Sequence, residues 1–82
     1  MDYINQIIAI VSEQSTIEPD ELDIGDSFAS IGIDSLKMVE VIVEIEDTLG
    51  ILFDDSDLDM EKLKTVEDII QLAGQRLAEV SV

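Results

Sequence analysis

The sequence predicts an all-α fold: a small four-helix bundle with three longer helices, a short third helix and a long loop between helices 1 and 2. Apolar residues recur at helical spacing in three separate stretches. The single proline and two of the four glycines fall between the first two of these stretches. Strand signals are weak, because the β-branched residues at 39 and 41–43 lie inside a helical pattern. Eighty-two residues suffice for one small domain, so we expect a single domain over residues 1–82.

The first helix is predicted over about Asp2 to Gln14. Its apolar residues at helical spacing are Tyr3, Ile4, Ile7, Ile8 and Val11. Residues 16–33 break that pattern and predict a long loop. Apolar side chains in this loop are spaced to fill a core from outside the helices: Leu22, Ile24, Phe28, Ile31 and Ile33.

The second helix is predicted from Ser35 to Leu49, with Asp34 or Ser35 near the N-cap and Gly50 as the stop. One apolar stripe suits a core: Met38, Val41, Ile42, Ile45 and Leu49. A second apolar sector contains Leu36, Val39 and Val43. Either that sector is also buried, or part of it stays exposed among acids and docks on a partner. Leu36 is the better candidate for exposure because it stands in the first turn.

The remaining helices follow Gly50. A short third helix is predicted around Leu58 to Leu63. The last helix begins at Thr65, where a threonine followed three residues later by Asp68 matches a capping pattern. Its apolar stripe comprises Val66, Ile69, Ile70, Ala73, Leu77 and Val80.

Composition excludes several classes of function. The chain has no Cys and no His, so it lacks the usual thiolate nucleophile and neutral-pH base, and we expect no catalytic residues. Twenty acidic side chains against four basic ones give a net charge of −16, which disfavours nucleic acid and favours basic protein surfaces. No apolar run approaches the length of a membrane span, and no basic leader precedes the first helix, so we expect a cytoplasmic protein without membrane contact.

A calcium loop is also excluded. Asp55, Asp57 and Asp59 alternate as in such a loop, but Met60 replaces the required glycine and Val66 the required glutamate, so we expect no metal site.

The junction between the loop and the second helix carries the most informative motif, Ile31-Gly32-Ile33-Asp34-Ser35-Leu36-Lys37. Together with the acidic helix behind it, this motif resembles the acyl carrier protein family. The resemblance extends over nearly the whole chain and includes Leu22-Asp23, Phe28 and Ile31-Gly32 in the loop, Glu46-Asp47 ahead of Gly50, and Lys64-Thr65-Val66 at the last helix. Lys37 and Glu44 depart from the common pattern of fatty-acid carriers.

The resemblance implies that Ser35 receives 4′-phosphopantetheine from coenzyme A through a separate Mg²⁺-dependent phosphopantetheinyl transferase, with Asp34 assisting. The protein would then be a monomeric carrier and not an enzyme, holding acyl groups as thioesters for fatty-acid or polyketide-type enzymes. The recognition face for the basic docking surfaces of those enzymes would comprise Leu36, Glu40, Val43, Glu44 and Asp47. Two alternatives stay open: an aminoacyl or peptidyl carrier, and a cofactor-free acidic adaptor or inhibitor in which Ser35 has no special role.

Overall fold

The computed structural model describes residues 3–54, 57–59 and 61–80 and contains three α-helices in that part of the chain. Helix α1 is Tyr3–Gln14, α2 is Ser35–Leu49 and α3 is Val66–Val80. The described residues form no β-strand, only an isolated antiparallel bridge between Ser27 and Thr65. The all-α prediction is therefore confirmed, and Asp2, the predicted start of the first helix, lies outside the described residues.

The ends of α2 agree with the prediction. Asp34 is the N-cap: its backbone is extended, and its Oδ1 accepts a hydrogen bond from the Lys37 N–H at 2.9 Å. Gly50 ends the helix in the left-handed region (φ 67°), where its N–H donates to the Glu46 carbonyl oxygen at 2.9 Å. A residue without Cβ adopts this conformation at little cost, which explains why the helix stops here.

The core is built from all three helices and the long loop, with α1 packed against both α2 and α3. Of the predicted stripes, α2 buries Met38, Val41, Ile42 and Ile45, and α3 buries Val66, Ile69, Ile70 and Ala73. Leu49 and Leu77, at the ends of these stripes, are partly buried against the core. Helix α1 buries Ile7, Ile10 and Val11, whereas Ile4, placed by the sequence on the same stripe, is more exposed. The Val80 side chain lies outside the described part of the structure.

The loop contributes to the core largely as predicted. Leu22, Phe28, Ile31 and Ile33 are buried, and Ile24 is the exception at 41% exposed. Two short 3₁₀ turns, Pro19–Glu21 and Ala29–Ile31, organise a segment for which the sequence predicted no regular structure.

The described residues of the predicted short third helix are not helical, so the count of four helices is not confirmed. The described residues between Leu58 and Leu63 form a single turn around Asp59, whose carbonyl oxygen accepts from the N–H groups of Lys62 (2.9 Å) and Leu63 (3.0 Å). The Asp59 side chain accepts from the Glu61 N–H at 2.9 Å. Such local side-chain bonds compete with helix formation, and this turn delivers Leu63 to the core without continuing. Met60, inside the predicted helix, lies outside the described residues.

Helix α3 begins with reciprocal capping bonds. The Asp68 N–H donates to the Thr65 hydroxyl oxygen at 3.2 Å, and the Asp68 carboxylate accepts from the Thr65 N–H at 3.1 Å. The long loop supplies further acceptors, since the N–H groups of Val66 and Glu67 donate to the carbonyl oxygens of Asp26 (3.1 Å) and Ile24 (2.8 Å). These bonds fasten the loop to the start of α3.

Near the other end of α3, Arg76 pairs with the carboxylates of Asp57 and Glu79.

Among the described residues, no helix is long and apolar enough to cross a membrane.

Candidate functional site

Ser35, the central residue of the sequence motif, is exposed at the first position of α2. Asp34 before it is also exposed, and one of its carboxylate oxygens is occupied by the cap to the Lys37 N–H. The N–H groups of Ser35 and Leu36 have no intrahelical acceptor, as in the first turn of any α-helix. An anionic group at Ser35 would therefore meet free donors and the positive end of the α2 dipole.

A cavity of about 330 Å³ opens beside Ser35. Its walls come from three segments distant in sequence, residues 27–29 of the loop, residues 33–35 at the start of α2, and residues 63–64 before α3. Phe28, Ile33 and Leu63 make much of its lining apolar, and each is itself packed into the core. Ser35 thus lies at the edge of a cavity with a largely apolar lining.

Backbone hydrogen bonds hold the cavity walls together. The Phe28 N–H donates to the Lys64 carbonyl oxygen at 3.0 Å, and the Ile33 N–H donates to the Phe28 carbonyl oxygen at 2.9 Å. The Lys64 N–H donates to the Asp68 carboxylate at 3.0 Å.

The pKa of the Asp68 carboxyl group is lowered by its surroundings. Partial burial alone would raise the pKa of Asp68, but hydrogen bonds from the N–H groups of Thr65 and Lys64, the Thr65 side chain and the Lys64 charge together lower it below its ordinary value. The carboxylate therefore stays ionised at neutral pH and holds the wall of the cavity through the Lys64 N–H.

The second apolar sector of α2 is exposed, which answers the question that the sequence left open. Leu36 is 78% exposed, Val39 59% and Val43 49%. A shallow groove of about 440 Å³ runs along this face, lined by Gln14 of α1 and by Val39, Glu40, Val43 and Glu44 of α2. The face offers apolar surface edged by carboxylates.

The structure brings together some of the predicted site residues and separates others. Asp34 and Ser35 share the cavity rim, while Glu40, Val43 and Glu44 share the groove. Leu36 and Asp47 are exposed but line neither hollow.

The predicted site residues did not include several that line these two places, among them Val39, Gln14 and Lys64. Val39 lies one helical turn before Val43, so its spacing already indicated the shared stripe. Gln14 and Lys64 come from other segments, and nothing in the local sequence points to them. In the described residues, no group of three or more Cys, His, Asp or Glu side chains is placed to hold a metal ion. Asp55, named in the excluded calcium pattern, lies outside the described residues.

Comparison with known proteins gives a consistent set of similarities. A family model described as a phosphopantetheine attachment site matches residues 5–73. An acyl carrier protein of Rhodococcus erythropolis is 41% identical over 79 residues, covering 95% of this chain and 85% of that protein. An acyl carrier protein of Thermosynechococcus vestitus is 32% identical over 78 residues, covering 94% of each chain.

A more specialised relative is the meromycolate extension acyl carrier protein of Mycobacterium tuberculosis, 40% identical over 70 residues, which cover 84% of this chain and 59% of that protein. Among solved structures, an acyl carrier protein of Thermotoga maritima superposes with a TM-score of 0.77, covering 94% of this chain and 88% of the other. At 23% identity that likeness supports the fold alone.

Proposed function

This chain belongs to the acyl carrier protein family, and on that premise we propose that it holds acyl intermediates as thioesters on an arm attached to Ser35. Proteins of this family are carriers and not enzymes, and their covalent cofactor is 4′-phosphopantetheine. The observation that carries the assignment to Ser35 is its exposed hydroxyl at the start of α2, beside an apolar cavity.

The residues around Ser35 fit this group. A phosphodiester at the first turn of α2 would meet the free N–H groups of Ser35 and Leu36 and the positive end of the helix dipole. The adjoining cavity, with Phe28, Ile33 and Leu63 in its lining, offers a hydrophobic surface to whatever the arm carries. When bound, phosphopantetheine supplies the thiol that a chain without cysteine cannot provide.

The attachment itself is a substitution at phosphorus. The Ser35 Oγ forms a new bond to the phosphorus of the pantetheine half of coenzyme A, and the bond to adenosine 3′,5′-bisphosphate breaks. The hydroxyl proton leaves to a base that the transferase supplies. Asp34 is exposed next to Ser35, with one carboxylate oxygen engaged by the Lys37 N–H. We assign Asp34 the role of orienting Ser35 and assisting the Mg²⁺ of the transferase.

The exposed face of α2 is the proposed docking surface for enzymes that load, extend or unload the cargo. Leu36, Val43, Glu40, Glu44 and Asp47 were predicted there from the sequence, and the groove adds Val39. Apolar side chains edged by carboxylates suit shallow apolar sites with basic rims.

The finer part of the proposal concerns the pathway. The relatives are named as acyl carrier proteins, one of them for meromycolate extension, which favours an acyl cargo of fatty-acid or polyketide type over a peptidyl one. Loading assays with acyl and aminoacyl donors would separate these cases: efficient transfer of amino acids alone would overturn the preference.

Attachment is tested by intact mass after incubation with coenzyme A, Mg²⁺ and a broad-specificity transferase. We expect one added phosphopantetheine on the wild type and none on Ser35→Ala. Ser30→Ala is the matched control, because Ser30 is an exposed serine in the preceding 3₁₀ turn, and it should load fully. An unmodified wild type would favour a cofactor-free adaptor, and a loaded Ser35→Ala would place the arm elsewhere.

The docking surface is tested by charge reversal. Glu40→Lys with Glu44→Lys should slow association with loading enzymes, most strongly at low salt. Its change in melting temperature should match that of the control, because both double variants change the net charge equally. The same double change at exposed Glu18 and Glu21, in the loop, serves as the control. Equal association rates for the two double variants would refute the proposed face.

A further inference from the structure

The four basic side chains of this acidic protein differ in their ion pairing. Only Lys37, Lys62, Lys64 and Arg76 are basic. Among the described residues every ion pair involves Arg76, which contacts Asp54, Asp57 and Glu79. The three lysine ammonium groups form no direct ion pair in that part of the structure, although the charge of Lys64 helps to lower the pKa of Asp68. Lys64 also shares the wall of the cavity with Ser35.

The backbone of Lys64 is held in place on both sides. Its N–H donates to the Asp68 carboxylate at 3.0 Å, and its carbonyl oxygen accepts from the Phe28 N–H at 3.0 Å. The adjacent Thr65 forms the antiparallel bridge with Ser27. Because both peptide groups flanking its Cα are anchored, the exposed Lys64 side chain starts from a fixed point on the cavity rim.

A nearby cation would stabilise an anion attached to Ser35. A phosphodiester there adds a negative charge next to the exposed Asp34 carboxylate, on a chain that already carries −16. The helix dipole and the two free N–H groups offset part of this repulsion, and a nearby ammonium group would offset more of it.

We propose that Lys64 is the counter-cation of the phosphodiester on Ser35 and thereby orients the start of the arm across the cavity. This inference rests on the proposed function. The other lysines are less suitable. Lys37 lies two residues beyond Ser35, about 200° around the α2 axis, so it leaves the helix on another side. Lys62 is exposed but is not part of the cavity wall.

The test compares apo and holo protein in the wild type, Lys64→Gln and the matched control Lys62→Gln. At low salt, the melting temperature of holo minus that of apo should be lower by roughly 2–4 °C in Lys64→Gln than in the wild type. Lys62→Gln should behave as the wild type. At about 0.5 M NaCl the difference between Lys64→Gln and the wild type should largely disappear, because salt screens an exposed pair.

A second readout needs no variant. With only three lysines, selective ¹³Cε labelling gives a spectrum of three signals, and arm attachment should shift the Lys64 signal more than the other two. If Lys64→Gln fails to load, this wild-type measurement still decides the question.

The outcomes separate this inference from the proposed function. Failure of the wild type to accept an arm would overturn both. Two results would overturn the role of Lys64 alone. One is normal loading with no shift of the Lys64 signal. The other is an equal change of the holo-minus-apo melting temperature in Lys62→Gln and Lys64→Gln.

Discussion

Replacing Asp68 by asparagine removes the charge that anchors the cavity wall to α3 while keeping the size of the side chain. The wild-type carboxylate accepts from the N–H groups of Lys64 at 3.0 Å and Thr65 at 3.1 Å. Hydrogen bonds to a charged acceptor stabilise by roughly 1.5–3 kcal/mol each, and an amide oxygen retains part of that value. Because the site is only partly buried, we expect Asp68→Asn to lower the free energy of unfolding by about 1–2 kcal/mol.

The assay is urea unfolding followed by circular dichroism across a range of pH. The pKa of Asp68 is lowered in the folded protein, so its contribution is complete above the ordinary carboxyl pKa of the unfolded chain and is lost as pH falls through the lowered value. The difference between wild type and Asp68→Asn should therefore stay constant from about pH 7 to about pH 5 and shrink below about pH 4.

Glu67→Gln is the matched control. Glu67 lies in the same first turn of α3, is exposed, and accepts only from the Gln71 side chain. Glu67→Gln makes the same change of charge near the helix dipole and should lower the free energy of unfolding by no more than about 0.5 kcal/mol. A loss in Asp68→Asn that persists unchanged at low pH, or a loss of equal size in Glu67→Gln, would refute the assignment of the effect to the charged hydrogen bonds.

Three further predictions concern the rest of the fold. Gly50→Ala should lower the free energy of unfolding by about 1 kcal/mol through backbone strain alone, since its φ is 67° and no atom approaches the added Cβ; a loss of similar size in Gly50→Asn would contradict this reason. Arg76→Met should speed amide hydrogen exchange at Asp57, which it pairs with, and leave exchange in α2 unchanged. Added salt or millimolar Mg²⁺ should raise the melting temperature by screening the net charge of −16, and calorimetry showing an unchanged or lower value would be evidence against self-repulsion.

Helix α2 could be predicted from the sequence because its signals are local. Its N-cap at Asp34, its stop at Gly50 and its buried stripe all lie within one continuous segment, and the structure reproduces both ends. The same is true of Thr65 and Asp68 at the start of α3. The short third helix is not confirmed: the Asp59 side chain accepts from the Glu61 N–H within a local turn, and periodicity alone does not reveal such a bond.

The cavity beside Ser35 could not be predicted, because its walls are assembled by tertiary contacts. Phe28 and Lys64, 36 positions apart, are joined by a backbone hydrogen bond. Such a bond does not depend on the type of either side chain, so the sequence does not indicate it. The apolar pattern of α2 also could not show whether its second apolar sector is buried. That depends on where α1 ends. The structure places Gln14 at the edge of the groove and leaves Val39 and Val43 exposed.

The fastening of the long loop to α3 has a practical consequence. The bond from the Glu67 N–H ends on the main-chain oxygen of Ile24, while the Ile24 side chain faces outward at 41% exposure. Any L-residue supplies the same oxygen, so this position tolerates a foreign side chain. In a polypeptide without native cysteine, Ile24→Cys would create a unique attachment point for a fluorophore, placed to report motions of the loop relative to α3.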